Sequence, residues 1–178
     1  MDYFEFYNLP QSFQLDVAAL RRTFLERSRQ YHPDFHTLAD DEEQARMLEL
    51  STLNNEAFRT LSDPDKRIQY LLKINGLLEE GENQQALSQD FLMEMMDINE
   101  AMMELEFDFD AERYKQTRHA VEALDQTLLQ EIQPVLDTWT IENGTAADLV
   151  KVRDYFFKKR YLLRIFENLS KFAAASES

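Results

Sequence analysis

An all-α protein in two helical parts is what this sequence predicts, and three observations carry the prediction. Only three Gly and four Pro occur in 178 residues, with Glu, Gln, Leu, Met and Ala prominent, a composition that favours helices over turn-rich sheets. Apolar residues recur at three- and four-residue steps through long stretches. An acidic, amide-rich segment carrying Gly81 separates two such groups of stretches.

A short aromatic lead-in, Tyr3 to Tyr7, is broken by Asn8-Leu9-Pro10. Asp16 is then placed to cap a helix running to about Tyr31, with Val17, Leu20, Phe24, Ser28 and Tyr31 as its buried face. Pro33 removes a backbone donor and disfavours helix at His32, so a polar loop follows. A second long helix starts near Asp40 and carries Ala45, Leu48, Ala57, Phe58 and Leu61, packing antiparallel to the first. Ser62-Asp63-Pro64 opens a short helix with Ile68, Leu71 and Leu72 on one side, stopped at Asn75-Gly76. Three further helices are expected, at about 89 to 106, 110 to 138 and 146 to 172, forming an antiparallel bundle. In the middle one Tyr114, Val121, Leu124, Leu128 and Val135 make a near-heptad seam, and Pro134 should kink or fray its end. The domains expected are therefore 1–76, a linker at 77–88, a three-helix bundle at 89–172 and a disordered tail at 173–178.

The formal net charge of −15 leaves no broad basic surface for phosphates, so nucleic acid and anionic membrane are poor partners for the whole chain. Most of the acidity is in the second part: residues 1–76 hold nine Lys/Arg against 13 Asp/Glu, and 77–178 hold ten against 21. The absence of cysteine excludes disulfides, thiolate metal sites and a cysteine nucleophile, and fits a reducing cytoplasm. The amino terminus lacks a basic start and apolar core, and no run approaches the roughly 18 apolar residues of a spanning helix. A soluble, unprocessed, cytoplasmic protein with no cofactor is expected.

His32-Pro33-Asp34 lies between the two antiparallel helices, and downstream come Asn55-Glu56-Ala57-Phe58, Leu61-Ser62-Asp63-Pro64, Lys66-Arg67 and Tyr70. The tripeptide alone is a weak signal. Its place after a Tyr-ended helix, with this series at the proper distance, resembles the J domain. The resemblance implies an antiparallel helical hairpin with short flanking helices, whose tripeptide and basic face dock on the ATPase domain of a DnaK-type chaperone and promote ATP hydrolysis. The chemistry then belongs to the partner, and this chain is not an enzyme. Pro33 stiffens the loop tip, Asp34 offers an acceptor, His32 can donate from a ring nitrogen, and Arg21, Arg22 and Arg29 supply the basic face. Read alone, those arginines are as readily a solvated helix face. Glu26 departs from the family's usual basic residue, and Asn54 stands where an apolar residue usually precedes the motif Asn. A rival reading makes His32, Asp34 and His36 three metal ligands of an enzyme, but no recognisable motif fixes a general base beside them.

The second half narrows the resemblance. There is no Gly/Phe-rich linker and no cysteine zinc module, which argues against a general J protein delivering unfolded clients, the nearest alternative. The opening Met1-Asp2-Tyr3-Phe4, the ending Tyr70-Leu71-Leu72 and the second-domain start Phe91-Leu92-Met93-Glu94 resemble HscB-type co-chaperones of iron-sulfur cluster assembly. In the first bundle helix Phe91, Met95, Ile98, Met102 and Leu105 fall within about 40° of a common centre and form the core stripe. Leu92, Met96 and Met103 lie roughly 120° from its centre, and Met93 lies farther round beside Asp97, Glu100 and Glu104. Methionine at helical spacing is more often core than function. A three-helix bundle needs only one wide face, though, and the excess has the composition of an adaptable protein-binding surface. The resemblance implies that Leu92, Met93, Met96, Asp97, Glu100 and Glu104 bind an IscU-type scaffold, to be handed to a DnaK- or HscA-type chaperone. A phenylalanine of the last helix completes the family patch, either Phe156 or Phe157; Phe157 is expected to point away from a seam of Val152, Tyr155, Leu163 and Phe166.

Overall fold

The computed structural model describes residues 1–78 and 87–176. Seven α-helices and one 3-10 turn make up the described residues, and the only β feature among them is an isolated bridge between Ser12 and Thr140. Two compact units are present: Met1–Leu77 with Leu136–Thr145, and Leu78–Val135 with Ala146–Ser178. The expected linker at 77–88 falls largely on 79–86, outside the described residues.

In the first unit the aromatic lead-in is itself a helix, α1 (Tyr3–Tyr7), closed by a capping box in which Asp2 accepts from the Glu5 N–H and Glu5 accepts from the Asp2 N–H. Asn8 ends it in the left-handed region at φ 56°. Phe4 is fully buried, and Tyr3 stacks on Tyr70 at 4.4 Å while its N–H donates to the Tyr70 hydroxyl. The hairpin is α2 (Val17–Gln30), capped by Asp16 as expected, and α3 (Asp41–Leu61), capped by Asp40. Phe24 stacks on Phe58 at 4.2 Å across it.

The hairpin's buried face is shorter than its apolar pattern. Leu20, Ala57 and Leu61 are buried, but Val17, Ala45 and Leu48 are exposed. Ala45 and Leu48 lie toward the loop end, where only two helices of this unit meet and side chains keep their access to water, whereas Val17 stands in the first turn of α2 at the opposite end. Toward the other end α1 covers the pair, and the residue it covers is polar. Asn54 is buried with its side chain fully engaged: Oδ1 accepts from the Tyr7 hydroxyl at 2.7 Å, and Nδ2 donates to the Phe24 carbonyl and the Ser28 hydroxyl, both at 3.1 Å. One amide thus ties α1, α2 and α3 together. Asn54→Ala is expected to cost about 2–3 kcal/mol, because it strips partners from buried groups, and chemical denaturation will read it.

Burial pushes the Tyr7 hydroxyl up from 10 to about 12, against the opposing pull of Arg27. Its neutral form is therefore favoured by folding. The resulting stability is complete below pH 10 and is lost as pH rises from about 10 to about 12. The denaturation midpoint should fall through that window more steeply in the natural chain than in Tyr7→Phe.

α4 (Pro64–Ile74) begins with Asp63 accepting from the Asp65 and Lys66 N–H groups and with proline in its first turn. It ends at Gly76, whose φ of 73° lets the Leu77 N–H return to the Leu72 carbonyl at 2.8 Å. Arg67 is buried on its inner side, donating to the Leu61 and Phe13 carbonyls at 2.9 and 2.7 Å. Burial lowers its pKa.

Residues 136–145 were expected within the bundle and instead belong to the first unit. Trp139 packs on Phe13 at 5.1 Å, the Ile141 N–H donates to the Gln11 carbonyl, and Gln14 donates to Asp137 at 2.8 Å. Gly144 lies so close to the Trp139 indole that a Cβ would meet Nε1 at 1.9 Å.

The second unit holds α5 (Gln89–Phe107), α6 (Ala111–Thr138) up to Val135, and α7 (Ala146–Ser176). Ser88 caps α5, which buries Phe91, Met95, Ile98, Ala101 and Leu105; Met102 is half-buried, its expected place taken by Ala101. On α6 Thr117, Val121, Leu128 and Ile132 are buried, while Tyr114, Leu124 and Val135 are half-buried. The helix runs on past Pro134 to Thr138. On α7 the seam is Leu149, Val152, Tyr155, Leu162, Ile165 and Leu169; Leu163 is exposed and Phe166 half-buried, contrary to expectation. Lys159 clamps Asp125 of α6 through both carboxylate oxygens at 2.6 and 2.8 Å. α7 also continues to Ser176 where a disordered tail from 173 was expected, because Ala173-Ala174-Ala175 has the highest helix propensity available.

Candidate functional site

The loop after α2 builds the first candidate surface. The Tyr31 N–H closes α2 on the Arg27 carbonyl, and Pro33 holds His32 extended at ψ 129°, so that His32 caps the 3-10 turn Pro33–Phe35. His32 Nδ1 accepts from the Asp34 N–H at 3.2 Å. With Nδ1 an acceptor, the neutral ring carries its proton on Nε2, which is the donor open to a partner. The Asp34 side chain is 84% exposed and lies 3.6 Å from Nδ1. His36 Nε2 sits 2.7 Å from the Gln30 carbonyl, fastening the turn back onto the end of α2. That contact takes His36 away from the tripeptide, and among the described residues no group of three His, Cys, Asp or Glu side chains is placed to hold a metal. Exposed Phe35 ends the turn and exposed Leu38 follows it; both were missed by sequence reading, which treated the loop as polar.

Arg21, Arg22 and Arg29 are exposed on α2, with Arg22 and Arg29 two turns apart on one face. Arg27 differs from them. It turns inward over the rings of Phe6 and Tyr7, at 4.4 and 5.0 Å, and donates to the Phe6 carbonyl.

The second surface is the outer side of α5. Met93 and Met96 are 61% and 65% exposed, Leu92 and Met103 are exposed with them, and Asp97 and Glu100 stand alongside. Glu104 is paired with Arg113 of α6, so its carboxylate already has a cation. At 100° per residue Leu92, Met96, Met103 and Phe107 fall on one stripe, with Met93, Asp97, Glu100 and Glu104 along one side of it. Phe107 is almost wholly exposed and was not anticipated, although it repeats the four-residue step from Met103. Neither of the two phenylalanines offered as alternatives to complete the patch lies open. Phe156 is 9% exposed and Phe157 3%, edge-to-face at 5.7 Å, because α7 is buried through three successive residues there. Neither is an exposed anchor in this conformation.

Known proteins resemble this chain along nearly its whole length. Residues 87–170 match the family described as the HSCB C-terminal oligomerisation domain. The chain is 32% identical over 173 residues to the co-chaperone protein HscB homolog of Aeromonas hydrophila, covering 97% of this chain and 96% of that protein. The chain belongs to the HscB co-chaperone family. HscB of Proteus mirabilis is 31% identical over 172 residues, covering 95% and 94%. Among solved structures, human HscB superposes with a TM-score of 0.71 at 26% identity, over 96% of this chain and 81% of that one. The HscB structure from Vibrio cholerae has the same fold, with a TM-score of 0.64 at 24% identity, over 97% and 99%. HscB proteins are co-chaperones and not enzymes. No helix among the described residues is long and apolar enough to cross a membrane.

Proposed function

We propose that this HscB-family protein binds an IscU-type iron-sulfur scaffold on the outer face of α5 and hands it to a DnaK- or HscA-type chaperone, whose ATPase it stimulates through His32, Pro33, Asp34 and the basic face of α2. The observation that supports it most is the unspent apolar stripe. α5 buries one full face in its own bundle and still exposes Leu92, Met93, Met96 and Met103 beside Asp97 and Glu100. Flexible thioethers ringed by carboxylates suit a partner with an apolar patch and a basic surround. On the other surface, an exposed Asp34 carboxylate and three exposed arginines offer charged hydrogen bonds without any reacting group. A reducing, cytoplasmic setting agrees with a chain that has no cysteine.

A generalist that collects unfolded clients is the competing reading, and titration separates the two. Purified IscU-type scaffold should bind saturably in a one-to-one complex, whereas a reduced, unfolded model client should bind far more weakly. Equal affinity for both would make the protein a general client carrier.

A further inference from the structure

We infer that the thioethers of Met93, Met96 and Met103 on the outer face of α5 are a modification site for peroxide, and that their conversion to sulfoxides weakens the hold on the scaffold; the latter effect rests on the scaffold-docking role proposed for that face. The chain has seven methionines, and five of them, Met93, Met95, Met96, Met102 and Met103, stand on α5. Their environments differ sharply. Met93, Met96 and Met103 are 61%, 65% and 65% exposed, whereas Met102 is half-buried and Met95 is fully buried. Reaction of a thioether with peroxide follows its access to solvent, so this one helix sorts its sulfurs into reactive and protected ones. The 178 residues contain no cysteine, and no thiol among them competes for the oxidant.

The step is an oxygen transfer. A sulfur lone pair attacks one oxygen of hydrogen peroxide, the O–O bond breaks as the S–O bond forms, and the second oxygen leaves as water after a proton shift. Sulfur loses two electrons and the peroxide gains them. A flexible apolar side chain thereby becomes a polar one. Its neighbours do not satisfy it: the carboxylates of Asp97, Glu100 and Glu104 are acceptors, as is the sulfoxide oxygen, and the Asn99 amide already donates to the Tyr161 hydroxyl at 2.9 Å. Docking an apolar partner over that oxygen leaves it buried and unpaired, which is costly. Met93 and Met96 are about one helical turn apart and Met96 and Met103 two, about 10.5 Å along the axis, so a partner docked on this face meets all three. Met95, the methionine inside the bundle, is out of reach of the oxidant while the protein is folded. A sulfoxide reductase with a dithiol reverses the step, the oxygen leaving as water and the dithiol closing to a disulfide.

The test treats the full chain with hydrogen peroxide, removes the excess with catalase, maps the products by peptide mass spectrometry and titrates them with untreated scaffold by calorimetry. Sulfoxide should form at residues 93, 96 and 103 at least about tenfold faster than at Met95, with the melting temperature nearly unchanged. Scaffold affinity should fall by about tenfold and recover after treatment with both epimer-specific sulfoxide reductases and dithiothreitol. In the variant Met93→Leu, Met96→Leu, Met103→Leu, which keeps Met1 and Met47, peroxide should leave the affinity at that variant's own untreated value. Oxidation of Met95 as fast as of the three outer methionines, or an early-melting product, would overturn the modification site. An equal peroxide-induced loss in the leucine variant would place the sensitive group elsewhere and overturn it too. Full oxidation with unmoved affinity, in a protein whose Met93→Ala, Met96→Ala variant binds poorly, would sink the weakening effect and leave the docking face in place. Unmoved affinity in the alanine variant as well would take the docking reading with it.

Discussion

Asp34→Asn is expected to bring the partner chaperone's ATP hydrolysis down from its stimulated rate to its basal rate. The substitution keeps the shape of the turn and the Asp34 N–H that donates to His32 Nδ1, and removes only the charge. A hydrogen bond to an ionised group is worth about 1.5–3 kcal/mol, so its loss weakens docking by at least about tenfold. The side chain is 84% exposed, and stability should change by no more than about 0.5 kcal/mol. A single-turnover ATPase assay reads the first quantity and the melting curve the second. Unchanged stimulation would remove the tripeptide from the docking surface.

Met93→Ala combined with Met96→Ala is expected to weaken scaffold binding by about tenfold or more while leaving the melting temperature nearly where it was. Truncating a desolvated interfacial anchor commonly costs more than about 1 kcal/mol, and two such losses exceed one decade in affinity. Were these side chains core, each would leave a cavity at about 2–5 kcal/mol and the bundle would melt early. Their exposures of 61% and 65% favour the first outcome. Adding Glu100→Ala should weaken binding further and flatten its dependence on salt, since an exposed carboxylate beside the patch steers a basic partner. Calorimetry of the triple variant at two ionic strengths reads both effects, and an affinity equal to that of the natural chain would place the scaffold elsewhere.

Features with a local cause were legible in the sequence. Asp16 and Asp63 cap helices because a short side-chain acceptor needs only the next three residues, and Pro33 ends α2 because its own ring forbids continuation. The Asp2-x-x-Glu5 capping box of α1 was present and passed over, since five aromatic-rich residues look too short for a helix. What required tertiary partners was not legible. Asn54 reads as a polar intrusion until Tyr7, Phe24 and Ser28 close around it. Ala45 and Leu48 keep helical spacing yet are exposed, because they lie near the start of α3, toward the loop end of the hairpin. The segment 136–145 reads as the end of a bundle helix and the loop after it, and only pairing with Gln11, Ser12 and Phe13 assigns it to the first unit.

The candidate surfaces divide in the same way. On α5 one buried stripe and one exposed stripe follow from a single period, so Leu92, Met93 and Met96 were placed correctly outside the core. On α7 the period is silent around Tyr155-Phe156-Phe157, where three successive side chains are buried and no single face is distinguished. Phe156 and Phe157 were left as alternatives for want of that information, and packing buries both of them.

The adaptor reading is tested most directly by one titration: the chaperone's steady-state ATPase rate against scaffold concentration at a fixed, subsaturating amount of this protein. An adaptor tethers scaffold and chaperone together, so the rate should rise with scaffold well above the sum of the two separate stimulations, because the second contact becomes intramolecular. The rise should vanish with the Met93→Ala, Met96→Ala variant. Strictly additive rates, unaffected by that variant, would contradict the account.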